Sequence, residues 1–523
     1  MNRTVVIFLG IILMITSPHC LPAKERFDII RADQSSQQEI KSTPEKLYRA
    51  IDNYLLSVPA EIDSLIKACD YLIGQSSDTT TKSMIAGYLF NQFSTSGVMG
   101  YESVAIFIAK NYFLNSRLKW NGEGGLALLR LYAEFNENSL IGMSAPELQL
   151  SGADLRPLSL RGLTERYTII YFFDDECPLC KERFGGLKEI AEQYRYLNLT
   201  IYAVFTRSDS AALSKFITDN FGSAGGAVES GWRFVFDPGS TSDFHKLYNV
   251  LKTPQMFLVD SEKKIIGREL DNKALKTLLD AEAEKIAYYY SQAEAFVPKY
   301  LEIFNLGDSA DLKDAFTPLF ERLTKESREM YNAVFYNIFE HLWVQDDQKT
   351  KDAAIYAAKN YILPYPSLWY DKKFLNERVP AVITRIESNR VGSEAPTIKL
   401  YNSKGRLVNL TGRRSPHTLL YFFNTGCAIC KPFTFELKQI YPQLKKKRVR
   451  VVAIYTGDQK DELKEYIKAE KIPWEVFYSL DNNRIELFDK FEITNIPQTY
   501  ILDKERKIVS KGAYPPEIKD TLL

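Results

Sequence analysis

A chain of 523 residues exceeds what one hydrophobic core sustains and points to about three to four domains. Hydrophobic residues make up 45%, charged residues 25%, and the net charge is +1. Such a composition excludes a disordered chain, collagen and a polytopic membrane protein, and offers no bulk field for nucleic acid or acidic lipid. Six cysteines are too few for a disulfide-stapled scaffold, yet four of them fall into two CxxC pairs.

The chain opens with Arg3, an apolar run from Val5 to Ile15, the breakers Thr16, Ser17 and Pro18, and the small residue Ala23 before Lys24. That is the layout of a secretory signal peptide over 1–23, too short for a membrane span. The mature protein is therefore expected to be exported. Cys20 raises the alternative of lipid attachment, but His19 and Pro18 precede it where a lipobox has small residues. A retained N-terminal membrane anchor is the other alternative.

Beyond the leader the chain is written twice. Ala109-Lys110-Asn111-Tyr112 recurs as Ala358-Lys359-Asn360-Tyr361, and Trp120 as Trp369. Ile141-Gly142 and Ala145-Pro146 recur as Val391-Gly392 and Ala395-Pro396. Tyr171-Phe172-Phe173 recurs as Tyr421-Phe422-Phe423, and Cys177 and Cys180 as Cys427 and Cys430. One register of 249 or 250 residues holds throughout, so a unit of this length is duplicated.

The first half of each unit reads as helix. Ile62, Leu65, Ile66, Cys69, Leu72 and Ile73 share one face at helical spacing, which makes Cys69 a buried small hydrophobe. Glu282 to Leu306, Glu326 to Trp343 and Asp352 to Ile362 continue the pattern. The second half alternates. Tyr167 to Phe173 is a doubly covered strand, Lys181 to Tyr196 a helix, Leu199 to Thr206 a strand and Ala211 to Phe221 a helix. Met256 to Val259 and Lys264 to Ile266 flank a turn at Asp260-Ser261-Glu262. The second copy repeats this with Leu419–Phe423, Pro432–Leu444, Val449–Thr456, Asp461–Glu470, Tyr500–Leu502 and Lys507–Val509. The expected fold class is multidomain α and α/β, with two α/β sandwiches each preceded by a helical domain.

A CxxC after a buried strand, opening a helix, carries defined chemistry. The spacing allows a small disulfide ring, Cys177–Cys180 and Cys427–Cys430. Unpaired amides at the helix start favour thiolate on the first cysteine, while the second sits one turn in and is shielded. The first then attacks, and the second resolves the mixed disulfide.

These residues resemble the thioredoxin fold family, and within it the TlpA and ResA type of periplasmic oxidoreductase. Asp174-Asp175-Glu176-Cys177-Pro178-Leu179-Cys180-Lys181 and Asn424-Thr425-Gly426-Cys427-Ala428-Ile429-Cys430-Lys431 stand at that family's active-site motif. Thr253-Pro254 and Ile496-Pro497 stand at its cis-proline, which implies a backbone edge beside the sulfurs where an extended substrate pairs. Ala145-Pro146 and Ala395-Pro396 look like its lead-in strand. The likeness covers 137–283 and 387–523. Together with the leader and the helical halves, this gives domains at 1–23 (signal peptide), 24–136 (helical), 137–283 (thioredoxin-like), 284–386 (helical) and 387–523 (thioredoxin-like). The helical halves resemble all-α regions that precede such folds in some exported Gram-negative proteins.

Departures from the family sharpen the expectation. Glu176 and Gly426 replace the usual Trp before the first cysteine, and Tyr171 and Tyr421 replace thioredoxin's buried acid. Neither middle dipeptide has His or Lys, which points to reduction rather than strong oxidation. Asp174, Asp175 and Glu176 are expected to disfavour the Cys177 thiolate and make the first site the more reducing. A peroxidase of the peroxiredoxin kind would need Thr and Pro three and seven residues before the cysteine; Asp174 and Ile170, then Asn424 and Leu420, stand there. A shared Cys₄ zinc site is disfavoured by the wide separation of the pairs, and His19, His245, His341 and His417 are scattered. Lys445 to Arg448 with Arg450 read as a solvated helix end. A protein-binding scaffold, with Trp120 and Trp369 as candidate contacts or core residues, is the non-enzymatic alternative.

The expected activity is exchange of disulfides with protein thiols and disulfides, fed by an upstream membrane or periplasmic electron donor. The dithiol carries the electrons, so no cofactor, metal or nucleic acid is expected.

Overall fold

The computed structural model describes residues 44–523 apart from 121, 411–414, 480 and 494, with 481–484 described by backbone alone. The signal-peptide reading of 1–23, Cys20 and the start of the first helical domain lie outside the described residues. The chain divides into two compact units, Met1–Ala287 and Tyr288–Leu523.

In the first unit the helices Pro44–Leu55, Ile62–Gly74, Thr79–Ser94, Glu102–Ile108 and Glu123–Asn136 build a core of their own. Their apolar residues recur at helical spacing: Leu65, Cys69 and Ile73 are buried on successive turns. Each such side chain is worth about 1.5–3 kcal/mol of transfer free energy. Asp78 starts Thr79–Ser94 by accepting from the Thr81 amide. Burial, then the Asp70 charge, pushes the Cys69 thiol up to about 12, so it stays protonated within the core.

The sheet that follows has seven strands: β1 (Gln149–Gly152), β2 (Pro157–Ser159), β3 (Tyr167–Phe173), β4 (Leu199–Phe205), β5 (Trp232–Phe236), β6 (Gln255–Val259) and β7 (Ile265–Gly267). Their order is β2-β1-β5-β4-β3-β6-β7, with β3, β4 and β5 parallel and β6 antiparallel to β3. β3 shows why a continuous apolar run is required. Tyr167, Ile169, Tyr171 and Phe173 face one core, and Ile170 and Phe172 face the other.

The second unit has the helices Ser309–Glu326, Arg328–Trp343, Gln348–Ala357 and Val379–Ser388, then a second seven-stranded sheet. Its strands are β8 (Lys399–Asn402), β9 (Leu407–Asn409), β10 (His417–Phe423), β11 (Arg450–Tyr455), β12 (Glu475–Tyr478), β13 (Gln498–Asp503) and β14 (Ile508–Lys511). They repeat the strand order of the first sheet. Leu419, Tyr421 and Phe423 face one core, and Leu420 and Phe422 the other.

Three expectations shift. Ala145-Pro146 and Ala395-Pro396 precede β1 and β8 and are not strand themselves; instead the Ala145 amide donates a hydrogen bond to the Lys263 carbonyl, and the Ala395 amide to the Arg506 carbonyl. β5 and β12 were not foreseen: they are short and covered on both faces, so they lack the alternation that marks a strand. The expected 283/284 division falls inside the continuous helix Asn272–Leu301.

Candidate active sites

β3 ends at Phe173 and delivers the chain to Cys177, which caps the helix Pro178–Gln193. The Cys177 sulfur accepts from the Cys180 amide at 3.2 Å, so one orphan donor of the helix start is spent on it. Pro178, with no N–H to orphan, suits the first helical position. Cys177 Sγ also lies 3.5 Å from the carbonyl oxygen of Thr253, whose bond to Pro254 is cis. Cys177 is partly exposed and Cys180 buried, and both stand as free thiols.

The two thiols are driven apart. Burial raises the Cys177 pKa, but the Cys180 thiol and amide, Thr253 and the Leu179 amide outweigh it, and the net shift is downward. Burial, with the Cys177 hydrogen bond, pushes Cys180 up to about 11. We therefore expect iodoacetamide to label Cys177 in preference to Cys180 at pH 7, with a half-labelling pH below that of an ordinary thiol. Mass mapping of the alkylated peptides checks this, and equal labelling of both would contradict it.

At the second site Cys427 and Cys430 are disulfide-bonded, with Cα atoms 5.3 Å apart. The helix here starts at Cys430 rather than beside Cys427, yet the Cys430 amide still points at Cys427 Sγ, 3.1 Å away. Cys427 Sγ lies 3.6 Å from the carbonyl oxygen of Ile496, and the Ile496–Pro497 bond is cis. All eight site residues drawn from the sequence thus gather into two clusters of four, Cys177, Cys180, Thr253 and Pro254, and Cys427, Cys430, Ile496 and Pro497.

The tyrosines in place of a buried acid have a structural task. Tyr171 donates to the Cys180 carbonyl and Tyr421 to the Cys430 carbonyl, each at 3.1 Å. Burial holds both phenols well above their usual range, so they anchor the helix start without taking a proton. In the second copy Tyr421 also meets the Thr434 hydroxyl, to which Tyr466 donates.

The acidic run before Cys177 needs correcting. Arg207 meets Asp175 at 2.9 Å and Glu176 at 2.7 Å, and reaches Asp209 at 3.6 Å. A guanidinium therefore answers Asp175 and Glu176, and the Cys177 pKa is lowered rather than raised, through hydrogen bonds with Cys180, Thr253 and Leu179. The signal that could have found this lies in the second copy. There Thr425 and Gly426 replace the two acids and Gly457 replaces Arg207, so acids and base disappear together.

Trp369 is buried and donates to Tyr331, while Trp120 is half-buried against Phe90 and Phe113. Lys445 and Lys446 end the helix Cys430–Lys446 exposed to solvent, but Arg450 pairs with Glu475. Among the described residues no group of His, Cys, Asp and Glu could hold a metal.

Residues 417–508 match a family model described as thioredoxin-like, and residues 141–268 match the AhpC/TSA family. The thiol-disulfide oxidoreductase ResA of Bacillus subtilis is 27% identical over 129 residues, which is 25% of this chain and 70% of that protein. ResA of Geobacillus thermodenitrificans is 24% identical over 118 residues, covering 23% and 66%. Among solved structures, the thioredoxin domain of a thiol-disulfide oxidoreductase from Bacteroides vulgatus is 25% identical, covering 25% of this chain and 94% of that one, with a TM-score of 0.25.

Proposed function

Since the chain carries two thioredoxin-like domains and is related to thiol-disulfide oxidoreductases of the ResA kind, we propose that it is an exported protein-disulfide oxidoreductase acting through Cys177–Cys180 and Cys427–Cys430. One observation carries the reading: at each site the first sulfur sits between the amide of the second cysteine and the carbonyl that precedes a cis-proline.

In the reducing direction the Cys177 or Cys427 thiolate attacks a substrate disulfide. One S–S bond forms as another breaks, and a substrate thiolate leaves. Cys180 or Cys430 gives up its proton and attacks the mixed disulfide, which releases the second substrate thiol. Two electrons pass to the substrate and the CxxC is left oxidised, so each turnover needs an external thiol donor. In the first site the surroundings of the resolving thiol hold it protonated, so it sheds its proton only when it attacks the mixed disulfide. Thr253-Pro254 and Ile496-Pro497 offer backbone to an extended substrate strand.

The leader-like sequence of 1–23 supports export, to the periplasm, and a donor in that compartment or its membrane. Among the described residues no helix is long and apolar enough to cross a membrane. The peroxidase reading finds Asp174 and Ile170 where Thr and Pro are required. Cys180→Ser and Cys430→Ser chains should retain substrates as mixed disulfides that dithiothreitol releases, seen as high-mass bands on non-reducing gels. Absence of any such adduct in both variants would favour the scaffold alternative.

A further inference from the structure

Within the second unit a cavity of about 410 Å³ lies where helical segment and sheet meet. The helical segment contributes Trp343, Val344 and Arg385; the thioredoxin-like segment contributes Phe488, Glu492, Ile493 and Asn495. Asn495 adjoins Ile496, whose carbonyl lies 3.6 Å from Cys427 Sγ, so the cavity begins one residue from the contact to the reacting sulfur. The Asn495 amide donates to the Asp346 carboxylate at 3.2 Å, which ties the cis-proline loop to the helical segment.

The walls are set in advance. The Trp343 indole donates to Glu340 at 2.7 Å, and its ring lies 4.9 Å from the Arg378 guanidinium and 5.7 Å from that of Arg385. Val344 is 42% exposed, an apolar side chain left uncovered at the rim. Glu492 is buried and holds Lys351 and Lys511 through Oε2, while its Oε1 has no hydrogen-bond partner among the described residues. A cavity of this volume, with Trp343, Val344, Phe488 and Ile493 among its walls and Arg385 beside the indole, suits one large side chain.

We propose that this cavity is a subsite for polypeptide substrates of Cys427. It takes an aromatic side chain beside the substrate's reacting cysteine. The proposal rests on the oxidoreductase reading and adds to it a substrate class for one of the two sites. The first unit is built differently at this place. The helices Thr79–Ser94 and Arg328–Trp343 share the 249-residue register that carries Ala109 to Ala358 (358 − 109), and Ser94 and Thr95 stand where Trp343 and Val344 do. Discrimination by aromatic flanks therefore belongs to Cys427 and not to Cys177.

The test uses the full chain with Cys177→Ser and Cys180→Ser, so that Cys427–Cys430 is its CxxC dithiol. Two disulfide-bonded peptides are compared that differ only in Phe or Ser beside each cysteine. We expect the Phe peptide to have a KM about tenfold lower, the scale on which an apolar pocket discriminates. Trp343→Ala and, separately, Val344→Asp should bring the ratio of the two KM values near one; Val344 is half-exposed, so its replacement does not rely on refilling a core. Equal KM values in the parent chain, or a ratio that survives both replacements, would overturn the subsite. Reduction of the small disulfide DTNB by the parent chain separates the two readings. If it proceeds without peptide discrimination, the subsite alone fails; if it does not proceed, the oxidoreductase reading fails and the subsite with it.

Discussion

Replacing Cys177 and Cys427 together by Ser should lower insulin-disulfide reduction by about 10³-fold or more, to the uncatalysed rate. Each single replacement should leave the turnover of the other site. The size follows from the geometry. Each of these sulfurs is the accessible member of its pair, with its partner buried at 2% exposure or less. No other cysteine can substitute among the described residues, because Cys69 is sealed in a helical core with its thiol pushed up to about 12. Serine keeps the shape but is a far weaker nucleophile at neutral pH. Steady-state assays of the three variants, with dithiothreitol as donor, decide the matter. Full activity in the double variant would refute exchange at these sites, and total loss in either single variant would show that the two sites are not independent.

The second large effect concerns stability. Glu492→Gln should destabilise the second unit by about 3–5 kcal/mol. Glu492 Oε2 meets Lys351 Nζ at 3.2 Å and Lys511 Nζ at 2.5 Å, with Glu492 and Lys351 almost wholly buried. Removing the carboxylate's charge leaves two largely buried ammonium groups without the carboxylate they pair with. Glutamine cannot supply the charge, although it preserves the shape. The pH dependence follows from Lys511, whose pKa burial lowers below its ordinary 10.5 while Glu492 pulls it back up. A base whose folded pKa is depressed binds more protons unfolded than folded in the window between the two values, so stability rises with pH there. Loss of Glu492 deepens the depression, and the deficit of the variant should be smaller near pH 10 than at pH 7. Urea denaturation of the full chain, with proteolysis reporting the second unit, measures both. A loss below about 1 kcal/mol at pH 7 would show that the cluster is not held by charge.

The same place in the first unit shows how a copy can be rewired. Arg268, fully buried, faces Glu102 at 3.7 Å and Glu269 at 3.1 Å, and bonds to Asn136 at 2.7 Å. Glu102 and Lys351 share the 249-residue register. Tyr248 and Phe491 both lie against the matching Phe172 and Phe422, which aligns Asn249 with Glu492 and, along the same offset, Arg268 with Lys511. The acid thus sits on the helical side in one copy and on the sheet side in the other. Neither arrangement can be read from a single copy, since the partners lie far apart in the chain.

The sequence alone determined the residues that recur at one register, the two CxxC pairs, the strands β3 and β4 with their helices, and the proline-bearing segment downstream. These are local: a seven-residue run such as Tyr167–Phe173 must be covered on both faces, and a CxxC closes within one helical turn. Tertiary structure decided which charges answer which. The parallel register of β3 and β4, which sets Phe173 beside Phe205, carries Arg207 to Asp175 and Glu176 before Cys177, 32 and 31 residues away, and so gives those two acids a counter-ion. The same holds for Glu492 between Lys351 and Lys511, and for the cavity that Trp343 and Asn495 share. Apolar periodicity is written along the chain, but the energy of a charge depends on what lies within a few ångströms of it, and only the folded chain sets that distance.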